Sequence, residues 1–122
     1  MFLWYITKDK RLAKGFRDSI RNIDNHVFLS VVSLWEVIVK YQPGKLSLPQ
    51  PPESYLPMQR RRHQVSSLEL DEASVAHLAS LPNIHRDPFD RILVCQAIEH
   101  GLVFITVDEK LIKYPIQVLG QT

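Results

Sequence analysis

Leu12, Phe16, Ile20 and Ile23 recur one helical turn apart, with polar residues between them. This spacing predicts an amphipathic helix over 9–23, closed by Asn25. The next run, HVFLSVV (26–32), is rich in β-branched and aromatic residues and predicts a buried strand. Ser33 then reads as an N-cap with Glu36 three residues on, the spacing of a capping box. The helix it opens carries Val37, Ile38, Val39 and Tyr41 on nearly every side, so burial all round is expected. Pro43-Gly44 stops it.

Five of the eight prolines fall between 43 and 57, an irregular connection rather than a boundary between domains. A short helix is expected around 53–63 and a short edge strand at 65–70. Asp71 reads as the cap of a helix with Val75, Leu78 and Ala79 on one face, closed by Pro82. The clearest helix opens at Asp87-Pro88, aspartate at the N-cap and proline at N1, and runs to Gly101. A strand at 102–106, a short helix or turn at 108–114 and a last strand at 116–120 complete the pattern. Strands alternating with helices argue one parallel α/β sheet. In such sheets ligands bind beyond the carboxyl ends of the strands.

The chain has 122 residues, 45% of them apolar, which suits one soluble domain over 1–122 with a single core. No apolar run reaches the roughly 20 residues of a membrane helix. The start, MFLWYITKDK, lacks the basic lead-in of a signal peptide, so a cytoplasmic protein is expected. The lone Cys95 falls in an apolar helix pattern and reads as buried and inert. A net charge of +2 is too mild to imply nucleic acid. Two basic stretches are more suggestive: Arg60-Arg61-Arg62-His63, and Lys8, Lys10, Arg11, Lys14, Arg17 and Arg21 around the first helix. Both suit phosphate contact or a plain solvated face.

Candidate chemistry lies in three acids. Glu36 follows the strand and tryptophan of VFLSVVSLW, Asp90 sits in HRDPFDR, and Asp108 follows LVFITV. Each has a structural explanation. Glu36 fits a capping box, Asp90 at N3 favours the helix dipole by about 0.3–1 kcal/mol, and Asp108 fits a turn. Together they would converge at one edge of a parallel sheet. Two carboxylates about 5 Å apart repel by about 3 kcal/mol at an effective dielectric of about 20. A cation between them removes that cost, and hard oxygen donors suit Mg²⁺ or Mn²⁺. The five histidines are scattered, which argues against zinc. His85, nearest the acids, reads as a loop or surface residue.

The stretches SVVSLWEVIVK (30–40), GKLSLP (44–49), LPNIHRDPFDRILVCQAIEHGLVFITVD (81–108) and YPIQVL (114–119) resemble PIN-domain ribonucleases of the VapC toxin type. The resemblance covers nearly the whole chain. It implies a PIN-like three-layer α/β/α fold with a short parallel sheet. It also implies an endoribonuclease that uses Mg²⁺ or Mn²⁺ to activate water against an RNA phosphodiester. By motif, Glu36, Asp90 and Asp108 become metal ligands and catalytic acids. Asp87 becomes an accessory acid or cap, and Thr106 a hydrogen-bonding partner of a carboxylate or of water on the metal. Arg86, Arg91 and Lys40 become candidate phosphate contacts. RNA, a cognate antitoxin and a second copy of the chain are the implied partners, with no membrane.

The sequence departs from the family at its front. Members open with an apolar strand ending in aspartate, and here the first strand and its acid are missing. Without them the strands at 26–32 and 102–106 are left with unpaired facing edges. Three explanations are open: a true start upstream of Met1, direct pairing of the remaining strands, or a strand supplied by a partner. Activity is expected to be weak or absent as the chain stands. The rival reading is a non-catalytic interaction module, dimeric or antitoxin-binding, drawn from residues 2–6, Trp4 and Trp35. A distant third is an unrelated Mg²⁺-dependent phosphotransfer domain using Asp108.

Overall fold

A computed structural model of the protein describes residues 14–22, 24–41, 48–106, 111 and 113–119. Helix α1 spans Lys14–Arg21. It stops two residues before the expected end, and the Asn25 side-chain amide donates to the Ser19 carbonyl at 2.9 Å, taking up one acceptor of the last turn. The start of the expected helix, with Leu12, and the segment 2–6 lie outside the described residues.

Strand β1 is only Phe28–Ser30, because Ser30 caps the next helix. Its backbone is extended, and its Oγ accepts the Val32 N–H at 3.0 Å. Helix α2 therefore runs Val31–Lys40. This corrects the expected capping box: Ser33 lies inside the helix, and Glu36 sits about two turns in rather than at N3. The expected all-round burial of α2 is also corrected. Val32 is buried, but Trp35 is 52% exposed, Ile38 40% and Val39 59%. One helix stripe is packed and an apolar stripe faces out.

Helix α3 spans Pro52–Arg62 with proline at its first position, and β2 is Ser66–Leu68. Between them Arg60 donates to the Val65 carbonyl at 3.0 Å, which closes the turn. Helix α4, Glu72–Ala76, is capped by Asp71, whose Oδ1 accepts the Ser74 N–H, and it passes into a 3₁₀ turn at His77–Ala79. Helix α5 is Pro88–His100. Asp87 caps it as expected, Oδ1 to the Phe89 N–H at 2.9 Å. Gly101 ends it at φ +62°, the left-handed conformation that a Cβ disfavours. Strands β3, Val103–Ile105, and β4, Gln117–Leu119, follow.

Both described strand pairs are parallel, and among the described residues they are two separate two-stranded sheets. β1 pairs with β2 in the register Phe28 to Ser66, and β3 with β4 in the register Val103 to Gln117. Direct pairing of β1 with β3, one of the three ways of closing the front of the sheet, is absent among the described strands.

The core forms around α5. Val94, Cys95, Gln96 and Ala97 are consecutive and all buried, so the middle of this helix is covered on every side. Val94 packs with Leu111 and Tyr114, and around them Leu81, Ile84, Ile98, Phe104 and Ile116. Cys95 is buried, and burial pushes its thiol pKa up, away from the reactive thiolate. Gln96 is the polar exception. Its Oε1 accepts the Ser30 hydroxyl at 2.5 Å, and its Nε2 donates to the Glu69 carbonyl at 3.1 Å. One amide thus ties α5 to the β1–α2 junction and to the segment leaving β2.

Replacing Ser30 with alanine removes the α2 cap and strands a buried acceptor on Gln96. A lost cap costs about 1 kcal/mol and an unpaired buried acceptor about 1–3. Urea unfolding of Ser30→Ala is therefore expected to show a loss of about 2–4 kcal/mol, summed from those two contributions.

Candidate metal centre

Between the two strand pairs lies a cleft of about 710 Å³. Phe28, Leu29 and Ser30 of β1 line it from one side, and Val103, Phe104 and Ile105 of β3 from the other. Among the described strands, β1 and β3 each have a neighbour on one side only, so both border this cleft with an edge. Past the carboxyl end of β1 come Ser33 and Glu36, and past that of β3 comes Thr106. All three line the cleft together with Asp90 from the first turn of α5. Two expected ligands, from helices 54 positions apart in sequence, thus face one space.

Each acid has a basic neighbour. Lys40 Nζ lies 2.6 Å from Glu36 Oε2, one turn along α2, and 3.6 Å from Asp87 Oδ2 across the helix pair. Its stem crosses the Phe89 ring, with Nζ 5.8 Å from the centroid, and Phe89 meets Trp35 edge-on at 4.8 Å. The hydrogen bond to Glu36 raises the Lys40 pKa above the ordinary lysine value, against a smaller opposing effect of burial. Lys40 was expected at phosphate. Here it neutralises two acids and links α2 to the start of α5. With the Lys40 side chain about half exposed, solvent screens that link.

His85, read from the sequence as a loop residue, faces Asp90. Its Nε2 lies 3.4 Å from Asp90 Oδ2, and the two side chains are 14% and 25% exposed. Its Nδ1 accepts the Asp87 N–H at 3.0 Å. Arg91, also expected at phosphate, turns inward instead. Nη1 donates to the Pro82 carbonyl at 3.1 Å and approaches the His85 carbonyl and the Tyr114 hydroxyl, each at 3.5 Å. Tyr114 Oη in turn accepts the His85 N–H at 2.8 Å. Arg86 is exposed. Thr106 is 9% exposed. Asp108 lies outside the described residues, as do Trp4, Lys8, Lys10 and Arg11.

The donor set suits a hard divalent cation, but it is incomplete in what is described. Among the described residues no three His, Cys, Asp or Glu side chains are grouped closely enough to hold a metal. Glu36 and Asp90 supply two carboxylates. A third ligand has to come from Asp108 or from elsewhere.

The sequence profile of the PIN domain matches residues 1–117. The chain belongs to the PIN-domain family. Ribonuclease VapC16 of Mycobacterium tuberculosis (strain ATCC 25618 / H37Rv) is 39% identical over 61 residues, which cover 50% of this chain and 43% of that protein. The match thus spans less than half the length of its curated relative. The PIN fold accounts for the α/β character and the short parallel strands observed. Among the described residues no helix of this PIN domain is long and apolar enough to cross a membrane.

Two outcomes follow from these charges. Lys40→Met leaves stability within about 0.5 kcal/mol, since exposed ion pairs contribute little, but it tightens Mn²⁺ binding several-fold by removing a competing cation from Glu36. Thermal melts and calorimetry read the two effects separately. The second concerns His63, whose pKa is lowered by burial first, then by Arg62 and Arg21. Its folded value lies below the unfolded 6.5, so the unfolded chain binds the proton first as pH falls. The stability that neutral His63 contributes is complete above about 6.5 and is lost as pH drops through the folded value. His63→Gln should flatten that part of the stability profile between about pH 7 and pH 5 in urea titrations.

Proposed function

We propose that this PIN domain is a metal-dependent endoribonuclease of the toxin–antitoxin type, with weak activity. The observation that carries this is the convergence of Glu36 and Asp90 on one cleft beside Thr106. A bound Mg²⁺ or Mn²⁺ would supply Lewis-acid charge and lower the pKa of a water. Glu36, Asp90 and Asp108 are the proposed ligands. Thr106, which lines the same cleft, is the proposed hydrogen-bonding partner of a carboxylate or of water on the metal. Asp87, already engaged by the Phe89 N–H and Lys40, acts first as the cap that sets the α5 N-terminus and only secondarily as an accessory acid. Exposed Arg86 is the best placed of the three expected phosphate contacts, because Lys40 and Arg91 are occupied with acids and carbonyls. RNA, a cognate antitoxin and a cytoplasmic setting belong to the same reading.

Weak activity follows from coordination chemistry. With two carboxylates on the cleft among the described residues, a loosely held ion is proposed, and a reacting group misplaced by about 1 Å can lose about 10²-fold in rate.

A second reading is a non-catalytic interaction module, as a dimer or in complex with an antitoxin. The exposed stripe of Trp35, Ile38 and Val39, and the cleft bordered by the β1 and β3 edges, favour it.

Calorimetry with Mg²⁺ and Mn²⁺ on the wild-type chain, Glu36→Gln and Asp90→Asn tests the first reading, alongside cleavage of a mixed RNA pool. Binding that weakens about tenfold or more in both variants is expected. No heat at millimolar metal in the wild-type chain would sink it. A stable complex with a co-expressed neighbouring protein, with no RNA cut, would favour the second.

A further inference from the structure

We propose that His85 is a positioning residue for Asp90, holding that carboxylate at the angle from which it faces the cleft. The inference rests on the acid-site reading above and adds a residue to it.

The residue is held on every polar atom. Its main-chain N–H donates to the buried Tyr114 hydroxyl at 2.8 Å, and its carbonyl faces Arg91 Nη1 at 3.5 Å. Tyr114 is 3% exposed and belongs to the hydrophobic core, so the loop carrying His85 is anchored to the interior rather than to solvent. On the ring, Nδ1 accepts the Asp87 N–H at 3.0 Å. An acceptor nitrogen carries no proton, so the neutral ring has its hydrogen on Nε2. That nitrogen lies 3.4 Å from Asp90 Oδ2. The distance is long for a finished hydrogen bond, and such contacts tighten when the site is filled.

The chemistry explains why such a brace is useful. Asp90 stands at the third position of α5, where the helix end alone does not fix the plane of the carboxylate. A donor bound to one oxygen restrains rotation about χ2, so the group meets an ion in one orientation. Partners of this kind are commonly worth about 10–100-fold in metal affinity. Asp87 contributes twice: its side chain caps α5 and its main-chain N–H sets the His85 tautomer. One short loop therefore starts the helix and orients its acid.

Two substitutions separate bracing from folding. His85→Asn keeps an acceptor near the Nδ1 position for the Asp87 N–H but has no donor that reaches Asp90. His85→Gln places an amide N–H near the Nε2 position. In the full chain, calorimetry with Mn²⁺ is expected to show His85→Asn about tenfold weaker and His85→Gln within about threefold of wild type, in line with the usual worth of such partners, with thermal midpoints of all three close together. Nitrogen-15 NMR of the metal-free wild-type ring is expected to show the proton on Nε2 and none on Nδ1. Equal Mn²⁺ affinity in wild type and His85→Asn overturns the proposal, as does a proton on Nδ1. A wild-type chain that binds no Mn²⁺ removes the acid site itself, and with it the role given to His85.

Discussion

A single buried amide organises this molecule. Gln96 sits in the covered middle of α5 with 1% exposure, and an amide in that position is tolerable only when its hydrogen-bonding groups are used. It meets that demand with the Ser30 hydroxyl and the Glu69 carbonyl. Those two atoms belong to the segments where β1 gives way to α2 and where β2 leads toward α4. Any other rotation of α5 would bury the amide unpaired. The orientation of α5 is thereby pinned to the β1–β2 pair, and with it the direction in which Asp90 points.

Ser30 connects that constraint to the site. Its Oγ accepts from Val32 N–H while it donates to Gln96, so one hydroxyl both starts α2 and docks it on α5. Glu36 is carried into the cleft by the helix that Ser30 begins. Asp90 is carried there by the helix that Asp87 begins. Two local caps and one long-range bridge place two like charges on one cleft, and the Lys40 ammonium lies between Glu36 and Asp87 at the joint of the two helices. In the same arrangement Glu36 has Lys40 beside it, and Asp90 has His85.

The cleft separates the two described strand pairs. β1 and β3 face it, their outer sides are taken by β2 and β4, and its walls are largely apolar. The helices pack largely on one another: α5 meets α2, α4 and the 3₁₀ turn. Glu36 and Asp90 hang from helices rather than from strands. That is why Glu36 and Asp90 still share a space although the two strand pairs are separate.

Much was legible where the signal is local. Asp87-Pro88 and Gly101 marked both ends of α5, and Asp71 marked the start of α4, because caps and φ preferences act within a few residues. The motifs SLWE and HRDPFDR named Glu36 and Asp90 and pointed to the PIN family. What depends on remote partners was not legible. A serine three residues earlier than expected became the α2 cap because Gln96, 66 positions away, bonds its hydroxyl. His85 became a partner of Asp90 because Tyr114 holds its loop, and Arg91 clasps the same loop. The outward apolar stripe of α2 could not be read from composition, since the same residues suit a core. Sequence by itself determined which chemistry the chain carries and where its helices start. Tertiary structure decided which of those groups meet, because their meeting depends on hydrogen bonds between atoms that are neighbours only after folding.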